Sequence, residues 1–212
     1  MPYIIRPKLM PRSVAVAGAV LLGSAVPAQA GGSPASGTAA SPPVETVPCE
    51  VQPFTQPFLN LNDKSNYVLV PGESPNDFEG VGWNLSGGAR IVQSALADGS
   101  TGRVLELPSG GEAVSPTFCV TTEYPTARTL ISDVVGSEGV SFNVSYEGTA
   151  SWNTPKNTGQ VHGSGSQWTA SAKVNMQPEG IAGWQRVKLT LIGKGKSSVF
   201  RVYNLYIDPY RR

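Results

Sequence analysis

Val140-Ser141-Phe142-Asn143-Val144-Ser145-Tyr146 alternates without a break between an apolar and a small polar side chain. A strand has a side-chain period of two, so Val140, Phe142, Val144 and Tyr146 fall on one face and Ser141, Asn143 and Ser145 on the other. The stretch therefore predicts a half-buried antiparallel strand, one face on a core and the other open. Arg186-Val187-Lys188-Leu189-Thr190-Leu191 repeats the pattern, with Val187, Leu189 and Leu191 opposed to Arg186, Lys188 and Thr190.

Outward from these two segments, the chain from Tyr67 is a series of short runs rich in Val, Ile, Thr, Tyr, Phe and Trp, separated by Gly, Pro, Asn and Ser. Strands are expected near residues 67–70, 83–85, 89–93, 103–107, 113–121, 127–134, 140–146, 158–162, 168–176, 184–192 and 199–207. A helical leaning at Ile91 to Leu96 is stopped by Asp98-Gly99-Ser100, and Gly193-Lys194-Gly195-Lys196 reads as a charged turn. Val199 to Ile207 is apolar on both faces, which places it centrally or interrupts it with a bulge. This many strands without a convincing helix predicts an all-β protein, a jelly-roll β-sandwich of two antiparallel sheets, with a closed barrel around a filled lumen as the other geometry.

The first 30 residues read as a signal peptide: Arg6, Lys8 and Arg12 without an acid, an apolar run from Ser13 to Val26, then Ala28-Gln29-Ala30 as a cleavage site. That run is too short for the ~20 residues that span a bilayer. Residues 31–48, GGSPASGTAASPPVETVP, are a flexible linker with almost nothing to bury, and residues 49–212 form the folded domain. The protein is expected to be secreted and monomeric.

Loss of Arg6, Lys8 and Arg12 leaves 13 basic against 15 acidic side chains, a net charge of −2 in place of +1. The basic residues concentrate after position 184, where Arg186, Lys188, Lys194, Lys196 and Arg201 either meet an anionic polymer or line a solvated strand face opposite acids. Nucleic acid is not an expected partner. With one His and two Cys the chain has no multi-histidine metal site and no four-cysteine zinc or iron–sulfur site. Cys49 and Cys119 in an exported protein favour a disulfide; a thiol nucleophile is the competing reading and would need a base that only His162 supplies.

Several short motifs recur in one order: Val70-Pro71-Gly72, Asp77-Phe78-Glu79-Gly80, Gly82-Trp83-Asn84-Leu85-Ser86-Gly87-Gly88-Ala89, Leu105-Glu106-Leu107-Pro108, Ser115-Pro116-Thr117-Phe118-Cys119-Val120, Phe200-Arg201-Val202 and Leu205-Tyr206-Ile207-Asp208. Together they resemble galactose-binding-like jelly-roll domains of the carbohydrate-binding-module type, and exported bacterial proteins of that fold, over about residues 49–210. The resemblance implies a structural calcium ion held by Glu79 and Asp208, with Asp77 as a compensating ligand where Pro209 replaces the usual second Asp. It also implies that Trp83 and Trp184 are packing residues.

Sugar recognition calls for an aromatic ring against the C–H face of the sugar and amides at the rim. Trp152, within Ser151-Trp152-Asn153-Thr154-Pro155-Lys156-Asn157, fits that need, with Asn153 and Asn157 as polar partners and Trp168 as a second aromatic. Trp152 folded back as a cap on the sheet end is the other reading. His162, followed by Gly163-Ser164-Gly165-Ser166, lacks a nucleophile elbow with a central serine. No predicted strand carries the close carboxylate pair of a glycosidase. The sequence thus predicts a non-catalytic module for a polysaccharide or glycan, with a carbohydrate-active hydrolase or lyase and an envelope structural or interaction protein as alternatives.

Overall fold

The computed structural model describes Cys49 and residues 53–121, 125–176 and 183–209; the signal peptide and linker expected before Cys49 lie outside the described residues. A 3-10 turn at Leu59–Leu61 precedes the strands. These are β1 (Val68–Leu69), β2 (Asn84–Ser86), β3 (Arg90–Ala95), β4 (Thr101–Pro108), β5 (Glu112–Val114), β6 (Phe118–Val120), β7 (Thr126–Val135), β8 (Val140–Tyr146), β9 (Lys156–Val161), β10 (Thr169–Ala170), β11 (Val174–Asn175), β12 (Gln185–Gly193) and β13 (Val199–Asp208).

They form two antiparallel sheets of a jelly-roll sandwich. The seven-stranded sheet runs β10-β7-β13-β4-β3, with β1 on β13 and β11 on β7; the six-stranded sheet runs β2-β5-β12-β8-β9, with β6 on β12. The strand at Val140–Tyr146 has its predicted bounds, and its four apolar side chains are buried. Phe142, Val144, Leu189 and Leu191 from one sheet and Leu105, Leu107, Ile131, Phe200 and Val202 from the other share one core cluster. Each fully buried side chain of this kind contributes about 1.5–3 kcal/mol, which fixes the register, because a one-residue slip would expose the whole set.

The last strand is central and also bulged. β13 is flanked by β7 and β4, and its pairing with β7 shifts between Tyr203 and Tyr206. Asn204 takes φ 53° there, and its carboxamide pairs with Asn76, accepting from the Asn76 N–H at 2.8 Å and donating to Asn76 Oδ1 at 2.8 Å. Gly72 is required nearby: at φ 86° an added Cβ would stand 2.2 Å from the Val81 carbonyl oxygen.

Three expectations are corrected. The run 113–121 is two strands on one lane of β12, because Ser115 turns to bond Leu189 through both its N–H and its hydroxyl and Pro116 has no N–H for a ladder. The run 168–176 is also split: Ser171 accepts from the Thr129 N–H through its side chain and from Arg128 through its carbonyl. The helical leaning at Ile91 to Leu96 gives way to strand β3, which pairs with β4 over six residues, tertiary pairing overriding a weak local preference.

A segment before β1 packs on the seven-stranded sheet. Phe58, Tyr67 and Tyr206 meet edge to face, with Phe58 ring centroids 5.2 Å from Tyr67 and 5.7 Å from Tyr206. Asp63, buried beside them, accepts from the Tyr67 hydroxyl at 2.7 Å, Arg128 Nη1 at 2.8 Å and Lys173 Nζ at 2.9 Å. Burial opposes its charge, but the bonds from Lys173, Tyr67 and Ser65 outweigh that and hold the carboxyl well below the usual range.

Candidate functional site

The polar half of the Val140–Tyr146 alternation faces outward from the six-stranded sheet, and β12 continues it. Register places Asn157 beside Asn143, Asn143 beside Thr190, Thr190 beside Val114 and Val114 beside Asn84. The neighbouring row runs Gln160, Ser141, Ile192, Glu112 and Ser86. Toward the other end Ser145 lies beside Lys188, and Trp152 is bridged to Glu147. Small hydroxyls and carboxamides thus occupy the middle of the face, where long charged side chains commonly cover a solvated sheet.

A tight loop sets the Trp152 indole. Gly148 N–H donates to Ser151 O at 2.9 Å and Asn153 N–H to Tyr146 O at 3.0 Å, while Asn153 Oδ1 accepts from the Tyr146 N–H at 2.8 Å. Asn153 therefore continues the ladder of β8 with its own side chain and holds the turn that presents Trp152. Trp152 is half-buried, and the Lys188 ammonium stands 4.4 Å from its ring centroid, a cation–π contact on one face of the ring. Asn157 Nδ2 donates to Ser141 Oγ at 2.6 Å and Asn143 Oδ1 at 2.9 Å. Next to Lys188 a cavity of about 300 Å³ is lined by Gly82, Asn84, Val114, Ser115, Pro116, Thr117 and Lys188.

The structure brings Trp152 and Asn157 onto one face and leaves Trp168 on the other sheet. There the Trp168 indole N–H donates to Ala95 O at 2.8 Å, and its ring meets Tyr203 edge-on at 4.7 Å. Asn143, Ser141 and Thr190 are the members of the face that the sequence reading did not single out, while Lys188 was named there only as one of the basic residues that either meet an anionic polymer or line a solvated strand face. A signal for them existed: the outward positions of the quoted strand are all small and uncharged.

The basic residues of the C-terminal segment do not share one face. Arg186 pairs with Glu147 at 3.1 Å on the six-stranded sheet, while Arg201 pairs with Glu106 at 2.8 Å on the seven-stranded one. His162 follows β9, its Nδ1 2.9 Å from the Ser137 carbonyl oxygen. That contact makes Nδ1 the donor.

The residues implied for calcium are engaged otherwise. Asp77 receives Arg103 Nε at 2.9 Å, Arg103 Nη2 at 2.5 Å and the Arg103 N–H at 3.0 Å, and these bonds lower its pKa. Glu79 accepts from Ser74 Oγ at 2.6 Å, and Asp208 is buried at the end of β13. Among the described residues no three His, Cys, Asp or Glu side chains form a group that could hold a metal ion. Cys49 and Cys119 are joined in a disulfide, Cα to Cα 5.5 Å, which places the thiols in an oxidising compartment and removes them as nucleophiles. No helix among the described residues is long and apolar enough to cross a membrane.

No family model and no curated protein matches the chain. Solved structures do. The CBM22-1 xylan-binding domain from Paenibacillus barcinonensis Xyn10C is 13% identical, with 62% of this chain and 88% of that one covered at TM-score 0.41. A family 6 carbohydrate-binding module from Clostridium cellulolyticum, in complex with xylose, is 15% identical, with 66% and 93% covered at TM-score 0.41. The C-terminal CBM6 of LamC from Zobellia galactanivorans is 16% identical, with 67% and 98% covered at TM-score 0.37.

Proposed function

We propose that the protein is a secreted, monomeric, non-catalytic module that binds a polysaccharide along the outward face of its six-stranded sheet. The observation that carries this reading is the juxtaposition of Trp152 with the uncharged row Asn157, Asn143 and Thr190. An extended glycan presents hydroxyls at regular intervals and an apolar C–H face on each ring. A row of carboxamides and hydroxyls answers the first and an indole the second. The acids on the face support binding over hydrolysis: Glu147 is held by Arg186, and Glu112 is on a different strand row from Glu147.

The test is retention on a panel of insoluble polysaccharides with Trp152→Ala and Asn157→Ala beside the wild type. The expected result is retention of the wild type on at least one polymer and loss in both variants. Equal retention of all three proteins, or none of the wild type, overturns the reading. Size-exclusion chromatography of the mature protein checks the monomer, and N-terminal sequencing of exported material checks cleavage after Ala30.

A further inference from the structure

The cavity at the β5 end of the face joins a cation to a set of neutral donors. Lys188 lines it, the Lys188 ammonium rests on the Trp152 ring, and no carboxylate among the described residues forms a salt bridge to it. The other basic residue beside it on β12, Arg186, is neutralised by Glu147. Asn84 adds an exposed carboxamide and Thr117 a hydroxyl, while the Ser115 hydroxyl is committed to Pro116 O at 2.8 Å and the Leu189 N–H at 2.9 Å. At about 300 Å³ the space sits at the lower end of the ~300–1,000 Å³ of small-ligand pockets, the size class of one sugar ring, and two of its lining residues, Val114 and Asn84, continue the row Asn157, Asn143, Thr190.

We infer that the bound polysaccharide carries carboxylates, and that Lys188 selects a uronic acid unit seated in this cavity. An aromatic ring holds an ammonium in place without consuming its charge, so Lys188 remains able to pair with an anion. A neutral sugar in the same place would leave the cation with the ring alone. Asn84 and Thr117 then meet the ring hydroxyls of the acidic unit. This inference rests on the reading of the sheet face as a glycan site and adds the chemical class of its ligand.

The test compares polymer pairs that differ only in the carboxyl group: polygalacturonate against its carboxyl-reduced form, and glucuronoxylan against unsubstituted xylan. Affinity electrophoresis of the full mature protein is run at low and high salt. The expected result is a preference of roughly tenfold for one acidic polymer over its neutral partner, as a single charge-assisted hydrogen bond gives, weakening as salt is raised. The ratio should fall to near one in Lys188→Gln and return in Lys188→Arg, with unchanged melting temperature certifying the fold. Equal binding of acidic and neutral partners, or a preference that survives in Lys188→Gln, overturns the inference and leaves the glycan-binding face standing. Absence of binding to every polymer overturns both.

Discussion

The two outward sheet faces of this sandwich carry polar groups to opposite ends. On the seven-stranded sheet they are turned on one another: Glu106, its side chain 5% exposed, lies between Arg90 and Arg201, and Asp63 gathers Tyr67, Arg128 and Lys173 under an aromatic cluster. On the six-stranded sheet, Lys188 has a ring in place of a counter-ion, and Asn143, Thr190 and Asn84 stand in one uncharged row, exposed at Asn84 and buried at Thr190. The first face is closed by internal pairing and serves stability. The second retains donors and acceptors that a ligand can satisfy, which is what a binding surface needs and a structural one avoids.

Removing Asp63 should break the closed face most severely. Asp63→Ala takes the shared carboxylate from the part-buried Arg128, from Lys173 and from the buried Tyr67 hydroxyl together, and a loss of about 3 kcal/mol or more is expected, read by urea unfolding. Opening the disulfide with Cys49→Ser and Cys119→Ser together should cost about 4 kcal/mol or less on the chain-entropy argument for a loop of this size, with the sequence separation being 70. Trp152→Ala should reverse the pattern, weakening polysaccharide affinity by roughly tenfold or more, of order 1–2 kcal/mol, with little change in melting temperature. If Asp63→Ala abolished binding in a folded protein while Trp152→Ala did not, the two faces would have been assigned the wrong way round.

A smaller effect is expected at Glu73, beside β13. Burial pushes its carboxyl up to about 8, against bonds from the Leu205 and Asn204 backbone that favour the charged form, and its Oε1 is buried with no hydrogen-bond partner among the described residues. The folded state therefore holds this proton more tightly than the unfolded one. The contribution is fully present below about pH 4.5 and is lost as pH rises through about 8. Glu73→Gln should flatten that decline by about 1–2 kcal/mol between pH 5 and 9, and an identical slope in the variant would show the carboxyl to be solvated. Least of all, chelation with EDTA should leave the melting temperature unchanged, since Asp77 is held by Arg103 and Glu79 by Ser74.

The fold was readable wherever burial is one-sided. Val140–Tyr146 was read to the residue because its even positions are apolar and join the core, although Ser141 and Ser145 are buried as well. Breaks such as Ser115-Pro116-Thr117 were not, since they depend on Ser115 finding Leu189 across 74 residues. Trp152 could be picked out from its loop composition. Its contact with Lys188 could not, because it arises only when β8 and β12 pair. For the same reason Trp168 and Trp152 looked equivalent as sequence and lie on different sheets, and Arg186 and Arg201 looked like one basic strip although their pairing partners separate them.

β13, the strand at the middle of the larger sheet, is also the last of the described strands in chain order. Until Val199–Asp208 emerges, β7 and β4 have no common neighbour and β1 has no partner at all. The larger sheet therefore cannot assemble piecemeal from the N-terminus, and its closure waits on contacts of long sequence separation, which form slowly. In a chain exported as proposed, that delay keeps the polypeptide threadable. It also makes the ten residues of β13 the keystone of the sheet, where a deletion would remove the centre of the structure and leave its edges.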